Sequence, residues 1–241
     1  MTPDELMQQA CPKIGVLGAA FYFDAVTVAK GDELGLGGFR FYFMGRGGVL
    51  GDVEPAVVRS AFGYFAPPLV EKLWNKGREI VDPREAGRVY VDCSRDFGRA
   101  HFGDIDGLDA FCQAAETINA ATDEASLPLY AGLNAEPLSD DLPARAMQLT
   151  ALLREYRGSA HLAAIRCMGL DDAVAHAIKR PDDVQMFGYE ATPEFGDAER
   201  ALHDEAEAMT DRMVRGAYAA VDADGAKALV AGLDAMEAAL S

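Results

Sequence analysis

Residues 143–168, PARAMQLTALLREYRGSAHLAAIRCM, determine the architecture of this 241-residue chain. Their apolar side chains recur at spacings of three and four, which is typical of one face of an α-helix. Asp141-Leu142-Pro143 carries helix-start chemistry, and Gly169 can end the helix. Beyond Ser159 the other faces also become apolar. The spacing therefore predicts a long central helix that is enclosed on most sides.

Helical periodicity also dominates the rest of the chain. Thr2, Pro3 and Glu5 form a capping-box start, and Asp82-Pro83 repeats part of that pattern. Strand patterns are confined to residues 39–43 and 89–91, both short. We predict a mainly α fold with few short strands. Further helices are expected over residues 12–30, 55–65, 68–76, 83–99, 108–122, 171–180, 194–220 and after Asp222.

Residues 126–142 contain Pro128, Gly132 and Pro137, a composition that favours a joint. We therefore expect an N-terminal half over 1–125, a connecting segment over 126–142, and a C-terminal half over 143–241 that begins with the central helix. The last two helices have small and apolar faces. They can pack on the chain's own core or between two copies, which makes a homodimer one expected assembly.

Composition excludes several classes of protein. There are 22 basic and 39 acidic residues, so the net charge is −17. This charge opposes binding to nucleic acid or to anionic membranes, since both require clustered Lys and Arg. No apolar stretch approaches the ~20 residues of a membrane span, and the N-terminal residues lack signal-peptide features. We expect a cytoplasmic protein with four buried cysteines and no CxxC zinc or redox motif.

The glycine-rich residues 35–51 are the most unusual local composition. They predict either a flexible turn system or a ligand-facing loop in which Arg46 binds an anion. Neither a P-loop nor a dinucleotide-binding fingerprint is present. Aromatic residues cluster at 21–23, 39–43 and 62–65, where they can fill a core or line an apolar pocket.

A second cluster lies on the central helix. Arg157 and His161 are four residues apart and therefore project from one helix face. Gly158 between them costs about 1 kcal/mol relative to Ala, which indicates close approach by another backbone or a ligand. His161 can act as a general base, a metal ligand or a hydrogen-bonded structural residue. His203 stands among acidic residues and is expected on a solvated face.

Local metal motifs are absent from the chain, including HExxH, a 2-His-1-carboxylate spacing and a DxDxDG loop. We therefore assign no metal ligands, and a metal site can form only from residues distant in sequence. No cofactor is identified.

Three segments together resemble a known family. Residues 42–51, YFMGRGGVLG, look like a Y-x-A-G-R-A-A-P-L-G motif, and residues 57–70, VVRSAFGYFAPPLV, are similar to the run that follows it. Residues 152–164, LLREYRGSAHLAA, resemble LLREHRGDGHVAAL. These are motifs of the actinobacterial SCO-type helix-turn-helix family, and the likeness is strongest over residues 19–170. Residues 191–196 and 207–212 resemble the wing and last helix of a winged-helix module.

The resemblance implies two winged-helix-like halves around central helices. The C-terminal half is expected to be degenerate, because residues 180–190 are too few for a turn, a recognition helix and a wing. The chain also departs from the motifs at Gly48, Val49, Tyr156 and Ser159. The motif residues of the family map to Tyr42, Arg46, Glu155, Arg157 and His161.

From these residues we predict a ligand site and two catalytic candidates. The catalytic candidates are His161 and Glu155, and the predicted ligand-binding residues are Tyr42, Phe43, Arg46, Tyr156 and Arg157. We expect Arg46 to approach Glu155 or a bound anion, with Arg157 and His161 facing the same cavity. Buried charges require partners that offset their desolvation.

Three functions remain open. The first is a winged-helix-derived protein of specialised metabolism that binds a small organic molecule, aromatic or anionic, and not DNA. The second is an enzyme that uses His161 as acid or base and Arg46 or Arg157 to stabilise negative charge. The third is a transcriptional regulator.

Overall fold

The computed structural model describes all residues from 1 to 241, and 71% of them are helical. The mainly α prediction is confirmed. The helices are α1 (Pro3–Leu17), α2 (Ala25–Glu33), α3 (Phe39–Gly47), α4 (Pro55–Phe62), α5 (Pro67–Arg78), α6 (Pro83–Phe102), α7 (Leu108–Ala120), α8 (Pro128–Asn134), α9 (Leu142–Cys167), α10 (Asp172–Lys179), α11 (Asp197–Tyr218) and α12 (Ala223–Ala239).

The structure contains no strand, so the short strands predicted at residues 39–43 and 89–91 are wrong. Residues 39–43 open α3 and residues 89–91 lie inside α6. Phe39, Tyr42 and Phe43 are three and four residues apart, a helical spacing that the weak alternation concealed. Residues 191–196, which resemble a wing, adopt neither helix nor strand.

Helix starts follow the capping residues for the most part. The Thr2 hydroxyl accepts a hydrogen bond from the Glu5 backbone N–H, and the Glu5 carboxylate accepts one from the Thr2 N–H. Asp82 caps α6 through the Glu85 N–H. Asp141 precedes α9 without forming a side-chain cap. The capping-box prediction is therefore confirmed.

The helix predicted over residues 12–30 is wrong. Helix α1 has already begun at Pro3 and ends at Leu17, and α2 starts at Ala25. Asp24 caps α2 by accepting a hydrogen bond from the Val26 N–H. The intervening turn places the rings of Phe21 and Tyr22 in the interior, where they are 3% and 7% exposed. The turn that buries these two rings therefore separates α1 from α2 within the range predicted as one helix.

Central helix α9 is enclosed as predicted. It packs against α1, α6, α7, α8 and α11, and most of its residues are buried. One continuous apolar core includes Trp74, Leu149 and Tyr218. Residues 126–142 contain α8, which packs on α9 and adds Leu129 and Tyr130 to that core. Both C-terminal helices pack on the chain's own core, α11 against α9 and α12 against α7 and α1.

The glycine-rich residues 35–51 form α3 and a 3₁₀ turn at Gly48–Leu50, not a flexible turn system. A Cβ atom at Gly48 would lie 2.0 Å from the Pro83 carbonyl oxygen. The glycine therefore permits direct contact between this turn and the start of α6. Helix α3 consequently lies against α6, and it also packs against α5.

The structure also tests the predictions on the cysteines and on membrane spans. Cys167 is exposed and Cys11 is half-buried, contrary to the prediction that every cysteine is buried, whereas Cys93 and Cys112 are buried. None of the helices combines the length and the apolarity that a bilayer span requires.

Candidate functional site

The structure contains a cavity of about 740 Å³. Helices α1, α3, α4, α9, α10 and α11 line it, together with the turns that follow α1, α4 and α10. Its volume lies within the roughly 300–1,000 Å³ of small-molecule sites. Gly158 of α9 borders it, and a Cβ atom there would meet no atom within 4 Å. The close backbone approach that we predicted at Gly158 is therefore wrong, because this glycine faces open space.

Aromatic rings form two adjoining stacks that line the cavity. In the first, Phe39 and Tyr42 stack with ring centroids 5.1 Å apart, and Phe23 stacks on Tyr42 at 5.5 Å. In the second, Phe187 stacks between Phe65, at 4.1 Å, and His176, at 3.7 Å, and the ring of Phe65 lies 5.8 Å from that of Phe39. The surfaces are thus flat and apolar, with a few polar groups between them.

A buried ion pair joins α3 to α9 next to Tyr42. Arg46 donates from Nε to Glu155 Oε1 at 2.9 Å and from Nη2 to Glu155 Oε2 at 2.8 Å, a bidentate geometry. Its Nη1 donates to the Tyr42 hydroxyl at 2.9 Å. The Glu155 side chain is 4% exposed and that of Arg46 is 15% exposed. The two residues are 109 positions apart in the sequence.

Two further donors complete the shell of Glu155. The Tyr22 hydroxyl donates to Oε1 at 2.9 Å, and Arg154 Nη1 donates to Oε1 at 3.1 Å. Burial acts to raise the pKa of Glu155, but the charge and hydrogen bonds of Arg46 outweigh it and hold that pKa below its ordinary value. Glu155 is therefore ionised, and its carboxylate accepts four hydrogen bonds.

A second charged group lies further along α9. Arg157 Nη2 donates to Glu207 Oε2 and to Asp211 Oδ1, both at 2.9 Å. Lys179 Nζ lies 3.2 Å from Glu207 Oε1. Burial would raise the pKa of Glu207, yet the hydrogen bond from Arg157 and the surrounding charges lower it to about 2. Glu207 is an ionised carboxylate that borders the cavity.

His161 is held by Thr210 of α11. The distance from His161 Nδ1 to Thr210 Oγ1 is 2.9 Å, and Thr210 donates its single hydroxyl proton to the Ala206 carbonyl at 2.7 Å. Nδ1 must therefore carry the proton, and Nε2 keeps its lone pair. Burial lowers the pKa of His161 to about 4, and Glu207 offsets only part of that effect. The ring is neutral at pH 7.

The seven predicted site residues divide into three groups. Tyr42, Arg46, Arg157 and His161 line the cavity, and Glu155 lies directly behind Arg46. The structure places the other two in the apolar core, outside the cavity lining. These are Tyr156, whose ring packs 5.2 Å from that of Tyr130, and Phe43, which is 0% exposed.

Sequence reasoning missed several lining residues. His203 was expected on a solvated face, and this is wrong because it is only 2% exposed and borders the cavity. Glu207 is four residues further along α11, so the spacing alone places both on one helix face. Arg154 also borders the cavity, and its place beside Glu155 in the motif was the available indication.

Comparison with known proteins yields one relationship. A family model described as a helix-turn-helix family matches residues 7–195, more than three quarters of the chain. No curated protein and no solved structure matches the chain.

Proposed function

Because this chain belongs to the helix-turn-helix family, we propose that it is a helix-turn-helix-derived protein that binds a small anionic aromatic molecule in the cavity. The observation that carries the proposal is the charge of the lining. The cavity lining contains one acidic residue, Glu207, and five Arg or Lys residues. The five are Arg46, Arg154, Arg157, Lys179 and Arg180. A cationic cavity in a chain of net charge −17 favours a negatively charged occupant.

Ion pairing leaves part of this positive charge available. Arg46 and Arg154 share the single carboxylate of Glu155, so one positive charge is not neutralised there. Arg154 Nη2 donates to no protein group, and Arg180 makes no side-chain hydrogen bond. These donors can bind a carboxylate or phosphate while the aromatic walls stack on a flat ring.

Binding is favoured over catalysis by the state of the two catalytic candidates. Glu155 accepts hydrogen bonds from Tyr22, Arg46 and Arg154, so its oxygens are occupied. The pKa of His161, about 4, lies well below the neutral range in which a general base is most effective. An enzyme remains the alternative, with His161 as acid or base and Arg46 or Arg157 as anion stabilisers.

A transcriptional regulator is the second alternative, and one feature favours it. Helices α4 and α5 pack together across a four-residue turn in which Gly63 has φ of +65°, the connectivity of a helix-turn-helix motif. The exposed charges of α5, however, are Lys72 and Lys76 against Glu71, with Glu79 directly after the helix, and Arg78 is paired with Asp52. We therefore propose that it does not bind DNA, and expect no mobility shift of mixed-sequence duplexes at low salt. A shift would support the regulator instead.

Calorimetric titration with naphthalene-2-carboxylate and its neutral primary amide tests the proposal. The two probes share one ring system and differ in charge, and we expect the carboxylate to bind at least about tenfold tighter, equivalent to roughly 1.4 kcal/mol. Equal affinity, or no binding by either probe or by one-ring aromatic carboxylates, would contradict it.

Matched variants locate the binding site. Gly158→Leu projects an isobutyl group into the cavity and should weaken binding, whereas Gly216→Leu places the same side chain on the exposed surface of α11 and should not. Arg154→Gln should weaken binding of the carboxylate about tenfold without affecting the amide. Arg212→Gln, an exposed charge outside the cavity, serves as its control.

A further inference from the structure

Three side chains from two helices meet at one wall of the cavity. His161 comes from α9, and His203 and Glu207 come from consecutive turns of α11. One candidate ligand atom of each residue lies within 4.8 Å of those of the other two. We infer that His161, His203 and Glu207 bind one divalent transition-metal ion, a property that goes beyond binding of an organic molecule and does not depend on it.

His161 is already oriented as a metal ligand. Its Nδ1–H donates to Thr210 Oγ1, which leaves the Nε2 lone pair 3.9 Å from Glu207 Oε1. A hydrogen bond on the far ring nitrogen is the usual arrangement for a metal-bound histidine, because it sets the tautomer and the ring orientation. Thr210 is itself 0% exposed and held by the Ala206 carbonyl, so this support is rigid.

His203 supplies an independent indication. The residue is 2% exposed and borders the cavity, yet its ring makes no hydrogen bond with any protein group. Its ring nitrogens are not completely enclosed, so they are open to the cavity and to an ion that enters it. The centroid of this ring lies 5.6 Å from that of His161, with an interplanar angle of 67°. A shared metal ion would supply the partner that the protein does not.

The charges around Glu207 permit a cation. Arg157 occupies Oε2 and also pairs with Asp211, while Oε1 faces His161 and Lys179. The Lys179 side chain is 58% exposed, so it can move into solvent. Once it does so, Glu207 and Asp211 carry two negative charges against the single positive charge of Arg157. The site then has net negative charge beside two imidazoles.

The donor set specifies the class of ion. Two imidazoles and one carboxylate suit Zn²⁺ or Fe²⁺, and three protein ligands leave coordination positions open towards the cavity. Ligand atoms about 2.1 Å from one ion are separated by roughly 3–3.5 Å, so the three side chains must close by about 1 Å on binding.

Titration of the chelator-treated full chain with metal alone tests the inference. We expect one Zn²⁺ per chain by calorimetry, and Co²⁺ should give visible ligand-field absorption that Zn²⁺ abolishes. His203→Ala and Glu207→Gln should each weaken Zn²⁺ binding by more than about 100-fold, and Thr210→Val by about 10-fold. Glu205→Gln, an exposed carboxylate on the same helix, and His101→Ala are the matched controls.

Lys179→Gln separates a metal site from a structural cluster. Removal of the competing ammonium should tighten Zn²⁺ binding several-fold, an effect that a purely structural role for Glu207 does not produce. Circular dichroism establishes that each variant is folded, and if His203→Ala is not, Glu207→Gln and Lys179→Gln still decide the question. Absence of stoichiometric Zn²⁺ binding overturns the inference. So does binding that His203→Ala and Glu207→Gln leave unchanged, which would place the ion elsewhere, for example at the free cysteines.

Discussion

Replacing Glu155 by Gln should destabilise the protein strongly, because it leaves Arg46 without its counter-charge. The substitution keeps the size of the side chain but removes the negative charge that Arg46 and Arg154 share. Whichever carboxylate oxygen the amide N–H₂ group replaces, it then faces a nitrogen of Arg46, which can only donate. The Arg46 side chain is 15% exposed, so water replaces the lost interactions only in part.

The magnitude follows from that burial. Removing one partner of a buried pair costs about 3–5 kcal/mol, since the remaining charge stays desolvated. For a chain of this length each kcal/mol lowers the melting temperature by about 2–4 °C, so a decrease of roughly 6–20 °C is expected. Urea unfolding is the direct assay. Trp74 is the single tryptophan, is 0% exposed and donates to the Val53 carbonyl, so its fluorescence reports loss of the core.

Glu33→Gln is the matched control. Glu33 accepts a hydrogen bond from Lys30 at 2.7 Å, but both side chains are more than half exposed, so the urea midpoint should not change measurably. Adding Arg46→Met to Glu155→Gln removes both partners, and the double variant should lose less than the sum of the single losses. A Glu155→Gln effect no larger than that of Glu33→Gln, or strictly additive losses, would refute the reasoning.

Three further predictions concern individual positions. Gly158→Ala should stabilise the protein by about 0.5–1 kcal/mol in urea unfolding, because the new Cβ meets no atom within 4 Å and Ala favours the helix; a loss of stability would contradict this. Gly48→Ala should cost about 1–3 kcal/mol or more in the same assay, since its Cβ would lie 2.0 Å from the Pro83 carbonyl oxygen. Burial, aided by the positive charge of Arg180, lowers the pKa of His176 in the folded protein. Below the unfolded-state pKa of about 6.5, the unfolded chain therefore binds more protons than the folded one. The free energy of unfolding consequently falls as the pH decreases. The free energy of unfolding, from urea titrations at pH 5, 6 and 7, should therefore decrease less with falling pH in His176→Phe, with a difference of at most about 1.4 kcal/mol per pH unit; identical slopes would exclude a contribution from His176.

Helical periodicity was sufficient for most of the fold. The central helix, its enclosure and the capping box at Thr2 were predicted correctly because each depends on residues within a few turns of one another. Helix α3 was not predicted, since four glycines at its ends and interior disfavour a helix locally. Packing of Phe41, Phe43 and Met44 in the core offsets that cost, and such tertiary contacts supply most helix stability.

The residues of the candidate site were likewise predicted only in part from the sequence. Motif resemblance selected Arg46, Glu155 and His161, but the four-residue spacing of a helix indicates only which side chains share a face. It does not indicate what each face meets, so Tyr156 was grouped with the cavity residues although it packs in the core, and His203 was placed in solvent although it is buried. The burial of His203 depends on the packing of α11 against α9, a contact between segments about 50 residues apart, and the place of Tyr156 depends on its contact with Tyr130 of α8. The types of residue and their spacing along the chain predict the helices and identify the polar side chains that stand out on apolar helix faces. The partner of each polar side chain depends on packing between distant segments, which no local pattern encodes.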